Sequence, residues 1–116
     1  MATNFTITLT EAVAKGCAVA YNGTVAQDPT ADTFAGIAVT AGAIGDVIAV
    51  YNGGSEIYAI GGGTVAAAGI PVTFSTDGKI VTAVGVATGA QVIGFAQGVI
   101  AADVPCRIRL DGFVAL

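Results

Sequence analysis

Few residues of this chain can do chemistry, and none are spaced for it. General acid–base work needs two titratable groups held together in a cleft. The eight acidic residues are Glu11, Asp28, Asp32, Asp46, Glu56, Asp77, Asp103 and Asp111. Most sit beside turn formers, as in Asp28-Pro29, Gly45-Asp46, Asp77-Gly78 and Asp111-Gly112. Aspartate in such places accepts hydrogen bonds from nearby backbone amides, so these read as turn residues. Asp28 and Asp32 are the nearest approach to a calcium loop, but Pro29 and the lack of further oxygen donors at that spacing argue against one. With no histidine in the chain, neither a Ser-His nor a Cys-His pair can form.

The remaining candidates fail for similar reasons. Cys17 and Cys106 are isolated, with no Cys-x-x-Cys spacing to suggest zinc. They read as two buried thiols or as one disulfide joining distant parts of the chain. Gly61-Gly62-Gly63 is followed by no Lys-Ser or Lys-Thr, so it is not a phosphate loop. Lys79 follows Asp77-Gly78 at a turn, loosely as a modifiable lysine does in a swinging-arm carrier domain. Asn4-Phe5-Thr6 and Asn22-Gly23-Thr24 match the glycosylation pattern, but no basic segment and apolar core of a secretory signal precedes them. No enzyme, cofactor or metal is expected.

Charge narrows the partners. The net charge is −4 and only 10% of residues are charged. Binding nucleic acid through phosphates needs a clustered basic face, which four basic residues do not make. The one basic pair, Arg107-x-Arg109, would share a face of a strand and meet solvent or a partner subunit. A surface this poor in charge suits a protein that spends its life packed against others. The uncharged stretches Ile57–Thr76 and Ile80–Ala102 are long enough to span a bilayer. Pro71, Asp77-Gly78, Gln91, Gln97 and dense glycine suit strands and turns instead, so no membrane association is expected.

The elements that would carry these residues are short strands. Asn4 to Thr10 alternates strictly, with Phe5, Ile7 and Leu9 on one face and Asn4, Thr6, Thr8 and Thr10 on the other. Ala18–Tyr21 and Thr24–Ala26 flank the hairpin dipeptide Asn22-Gly23. Further strands are predicted at 36–40, 46–51, 56–60, 73–75, 79–84, 92–96, 105–110 and 113–116. The segments 11–17 and 64–69 could each form one helical turn. About ten strands with turn signals at short intervals predict an all-β sandwich or partly closed barrel.

The strands fall into two similar halves. Ala35-Gly36-Ile37-Ala38, followed by Ala43, Val50 and Gly54, returns as Ile93-Gly94-Phe95-Ala96, followed by Ala101, Ile108 and Gly112. Lys15-Gly16-Cys17-Ala18-Val19 likewise parallels Ala68-Gly69-Ile70-Pro71-Val72. The organisation expected is an N-terminal strand or arm at 1–14 and one β domain at 15–116, its copies near 15–54 and 68–112. Asn52-Gly53-Gly54 would close the first half, and Gly61–Gly63 would be the joint.

The second half, with Ala68-Gly69-Ile70-Pro71-Val72, Asp77-Gly78-Lys79-Ile80-Val81, Val92-Ile93-Gly94-Phe95-Ala96 and the strand Val104–Leu110, resembles small bacteriophage capsid decoration (cement) proteins. The likeness spans about residues 15–112. It implies a virion protein, made in the host cytoplasm, often trimeric, on the outer surface of the head where major capsid subunits meet, stabilising the expanded shell. On that reading Asn4, Phe5, Thr6, Ile7, Thr8, Leu9 and Thr10 would form an attachment arm with no counterpart in the repeat, and its deletion would spare the fold. Arg107 and Arg109 are the other candidate contacts. Rival readings are a tail or fibre component, or a small β binding or carrier module.

Overall fold

The computed structural model describes residues 3–84, 90–110 and 114–115. The chain is nearly all-β. Its strands are β1 (Thr3–Thr8), β2 (Ala18–Ala20), β3 (Phe34–Ala38), β4 (Val47–Ile60), β5 (Pro71–Phe74), β6 (Ile80–Thr82), β7 (Gln91–Val92), β8 (Gly94–Ala96), β9 (Pro105–Leu110) and β10 (Val114–Ala115). Eight of them form one antiparallel sheet, ordered β2-β3-β4-β9-β8-β5-β6 with β1 added on β4, and it curls into a nearly closed barrel-like form. β10 pairs β7 separately. Of the expected terminal strand, Phe113 and Leu116 lie outside the described residues.

Alternation decides which side chains face inward. In β9, Cys106, Ile108 and Leu110 are buried, while Arg107 and Arg109 are exposed. In β1 and just beyond it, Phe5 and Ile7 are half-buried and Leu9 fully buried, while Thr6, Thr8 and Thr10 face solvent. The Asn22-Gly23 hairpin forms, with the Ala20 amide donating to Thr24 O at 2.9 Å and the Ala26 amide to Ala18 O at 2.9 Å.

Two expectations need correcting. Asn52-Gly53-Gly54 does not close a half but lies inside the 14-residue strand β4. Register shifts fall at Thr3/Asn4 and Gly54/Ile57, where the sheet changes partner from β1 to β9. Gly54 (φ 113°) and Glu56 (φ 56°) take up positive φ there, so a bulge at Gly54–Ile57 interrupts the ladder within a continuous strand. The possible helical turns at 11–17 and 64–69 are absent as well. Val13 and Val65 instead make isolated antiparallel bridges to Gly42 and Ile100. A short 3₁₀ turn, Thr76–Gly78, holds Asp77 at φ 63°.

The two halves share one pairing pattern. Phe5↔Val50, Thr6↔Ala49, Ile7↔Ile48 and Thr8↔Val47 recur as Ile57↔Ile108, Tyr58↔Arg107, Ala59↔Cys106 and Ile60↔Pro105. The rows Ala18↔Ile37↔Tyr51 and Val19↔Gly36 recur as Pro71↔Phe95↔Arg109 and Val72↔Gly94. Outside the strands, the Gly16 amide donates to Ala38 O at 2.9 Å and the Gly69 amide to Ala96 O at 2.8 Å. In this register the second pairing pattern begins inside β4. In the same register, residues 55–60 of β4 stand where β1 stands in the first half.

The core is in two parts. The smaller cluster is Leu9, Val13, Cys17, Val19, Ala38, Ile48 and Val50, with Phe5, Ile7 and Val25 packed on it. The larger holds the second half's Ile57, Ala59, Val65, Val72, Phe74, Ile80, Ile93, Ala96, Ile100, Cys106, Ile108 and Leu110. It also takes Ala18, Ala20, Ala26, Phe34 and Ile37 from the first half. Strands β2 and β3 therefore run between the clusters and bury both faces, which explains their small residues and unbroken burial. Each fully buried Ile, Val or Phe contributes about 1.5–3 kcal/mol relative to exposure.

Candidate functional site

Three aspartates are occupied in turns. Asp28 Oδ1 accepts from the Thr30 amide at 2.9 Å and the Thr30 hydroxyl at 2.7 Å. The Thr30 hydroxyl first, then backbone amides, hold the Asp28 carboxyl below its usual range. Asp32 Oδ2 accepts from the amides of Gln27 (2.9 Å) and Asp28 (3.1 Å), and Asp46 Oδ2 from the Ala43 amide (2.8 Å). Among the described residues no three His, Cys, Asp or Glu side chains gather where they could hold a metal ion.

The nucleophiles are also spoken for. Cys17 and Cys106 are free thiols, both buried. Desolvation pushes both above the usual thiol value, the Lys79 charge opposing it weakly at Cys17 and Arg107 at Cys106. A thiol so placed is mostly protonated at neutral pH and is a poor nucleophile. Lys79 donates to Asp103 Oδ1 at 2.5 Å, and that hydrogen bond raises its pKa. A shallow recess of about 230 Å³ is bounded by Ala20, Tyr21, Asn22, Ala31, Asp32 and Thr33. It falls below the size of ordinary ligand pockets, about 300–1,000 Å³.

The candidate contact residues occupy two separate places. Phe5, Thr6, Ile7 and Thr8 lie on β1 against residues 47–50 of β4, with Asn4 opposite Tyr51. Leu9 follows in the core, and the Thr10 hydroxyl donates to Asn22 O at 3.0 Å. Arg107 and Arg109 lie on β9, beside the other half of β4. The two sets are not brought together.

Two features were not visible in the sequence. The Arg107 guanidinium lies 5.3 Å from the centre of the Tyr58 ring, and the Lys15 ammonium 4.7 Å from the same ring. Two cations drawn to one ring make a basic edge on β4–β9. Tyr58 opposes Arg107 only through the register of distant strands, so local sequence carries no signal for it. The other is Gln91, whose Nε2 donates to Pro29 O (3.2 Å) and Asp32 O and whose Oε1 accepts from the Phe34 amide (3.2 Å). It stitches the first half's polar loop to the second half.

What the geometry defines is an all-β module with extended faces and no convergent polar cleft among its described residues. No protein-family model and no curated protein matches the sequence. Among solved structures the chain is similar to the N base of the head fibre gp8.5 in bacteriophage phi29. The TM-score is 0.71 at 19% identity, covering 96% of this chain and 95% of that one. At that identity the likeness establishes a shared fold over nearly the whole length of both chains.

Proposed function

We propose that this chain is a structural protein of a bacteriophage virion, seated on the outer surface of the head where major capsid subunits meet and stabilising the expanded shell. The observation that carries the reading is the whole-length fold correspondence with the N base of a phage head fibre. Within this reading the protein is made in the host cytoplasm, takes no cofactor and performs no catalysis. Its partners are the major capsid protein and further copies of itself, a trimer on the decoration-protein resemblance.

The physical properties fit such a role. Holding a shell against internal pressure requires many contacts spread over a face, not one reactive group. Charged residues are 10% of the chain, so little charge needs to be desolvated when the surface is covered. A contact of standard size, about 1,600 Å² in total, multiplied over copies around a symmetry axis, gives firm attachment through avidity. The exposed side of β1 and the edge with Arg107 and Arg109 are the candidate contacts.

The neighbour favours one variant of this reading. A chain built like the base of a head fibre would also carry a fibre, with the shell contact as its anchor. Both variants predict saturable binding of the purified chain to expanded heads that lack it, at a fixed ratio to major capsid protein. Co-sedimentation measures this, and heads so loaded should survive more heat. No binding at micromolar concentration would remove the head from the reading.

A further inference from the structure

The contact between the two halves is one-sided. The outer face of β2 and β3 in the first half, with Ala18, Ala20, Phe34 and Ile37, covers the second half's core. Phe34 stacks on Phe74 with ring centres 5.8 Å apart. No hydrophobic residue of the second half belongs to the smaller cluster, whose members all fall between Phe5 and Val50; only the turn at Gly78 reaches its edge, against Val25. Two halves related by a twofold would cover each other; these do not, so the contact is of the head-to-tail kind.

The shared register shows what this leaves over. The counterparts of Ile57 and Ala59, both buried beneath that cover, are Phe5 and Ile7, which are only half-buried. Beside them lies Tyr21, in the turn that follows β2. Phe74 is fully buried under Phe34, whereas Tyr21 stacks on Phe5 at 5.9 Å and stays 55% exposed beside the shallow recess. At the other end, the counterparts of the covering residues Ala18 and Ile37 are Pro71 and Phe95. Ile37 is fully buried, but Phe95 is 39% exposed and Pro71 half-buried. The smaller core thus keeps half-buried residues at its edge, and the second half's covering face is left partly exposed.

We propose that chains associate head to tail by repeating between molecules the contact that joins the halves within one. The Pro71–Phe95 face of one chain packs on the Phe5–Ile7–Tyr21 side of the next. The occupant of each face is a second copy of this chain, because the same fold already makes this contact once internally. A contact of this kind closes into a ring or runs on as a filament, depending on its rotation. The proposal deepens the self-association part of the function above and does not rest on head binding.

The test uses one-ended chains. Sedimentation equilibrium of the purified full chain at submillimolar concentration should give a mass above the 11.3 kDa monomer. Phe95→Asp removes the covering face and Tyr21→Asp the covered one, so each variant alone should be monomeric. Mixed, they should form a one-to-one dimer and nothing larger, since each keeps the face the other lost. Circular dichroism and melting confirm that each is folded. Should an aspartate prevent folding, Phe95→Ser and Tyr21→Ser replace it. A monomeric wild-type chain, assembly that survives either substitution, or a mixture that stays monomeric would overturn the proposal. Since no capsid is present, failure here leaves the head-binding experiment unaffected.

Discussion

Gly36 and Gly94 hold the same position in the two halves, each directly beneath a carbonyl of the neighbouring strand. A Cβ on Gly36 would lie 2.5 Å from Tyr51 O, and one on Gly94 would lie closer still to Arg109 O. Tyr51 and Arg109 are themselves matched by register. The strands approach so tightly that only hydrogen fits. Both alanine variants should therefore be destabilised, by about 1–3 kcal/mol for Gly36→Ala and at or above the top of that range for Gly94→Ala. Urea unfolding measures it, and equal midpoints for wild type and Gly94→Ala would refute the packing argument.

That pair also shows what the sequence carried. Gly36-Ile37-Ala38 and Gly94-Phe95-Ala96 were visible as repeats because close strand packing tolerates only glycine and small residues there. The β9 alternation and the Asn22-Gly23 hairpin were legible for the same reason, since each is fixed within a few residues. β4 was not. Asn52-Gly53-Gly54 has the composition of a turn, and only pairing with two different strands makes it a bulge. The match between β1 and residues 55–60 was hidden because Phe5, Ile7 and Leu9 correspond to Ile57, Ala59 and Gly61, which keep position but not size. The Tyr58–Arg107 contact depends on that register and was invisible with it.

Gln91 ties the polar loop to the second half, and its removal should loosen the joint. In Gln91→Leu the Phe34 amide and Asp32 carbonyl lose a part-buried partner. Losing a hydrogen bond of this kind costs about 0.5–1.5 kcal/mol. Hydrogen exchange at Phe34 should speed up more than at Val50, which lies in the other cluster. Uniform acceleration across the chain would mean that the halves do not open separately.

Acid should act on the 27–32 loop through Asp28. Its carboxyl pKa is lowered from 3.8, first by the Thr30 hydroxyl. A depressed carboxyl stabilises the fold above its unfolded pKa, and that contribution is lost as pH falls through the lower folded value. The loop should therefore keep its hydrogen bonds to below pH 3.8. Carbon-detected NMR titration should find the Asp28 midpoint below 3.8 and show it rising in Thr30→Val. An unchanged midpoint in that variant would mean the hydroxyl is not the cause.

The thiols should be silent until the sheet opens. Cys17 and Cys106 are 4% and 9% exposed, and burial raises both pKa values above 9.0. At pH 8 a disulfide reagent needs both thiolate and access, and the native chain offers little of either. Neither cysteine should react on the timescale of minutes, and both should react at once in denaturant. Rapid labelling of Cys106 alone would show β9 parting from β4 in the native protein.

Strand β1 separates folding from attachment, provided the right residues are changed. Leu9 lies in the smaller cluster at 1% exposure, and Thr6 and Thr8 pair in register with Ala49 and Val47. Deleting residues 2–10 would remove one side of β4's pairing and open that cluster. Leu9→Ala by itself should cost about 2–5 kcal/mol. The truncated chain should therefore fail to fold, which near-ultraviolet circular dichroism would report, and loss of head binding by it would say nothing about an arm. Thr6→Arg and Thr8→Arg change only exposed positions on the outer face and should leave the melting temperature within a few degrees of wild type. If β1 touches the shell, these variants fold and bind poorly. If they bind at the wild-type ratio, the contact lies elsewhere, and the basic edge of Arg107 and Arg109 is the next surface to change.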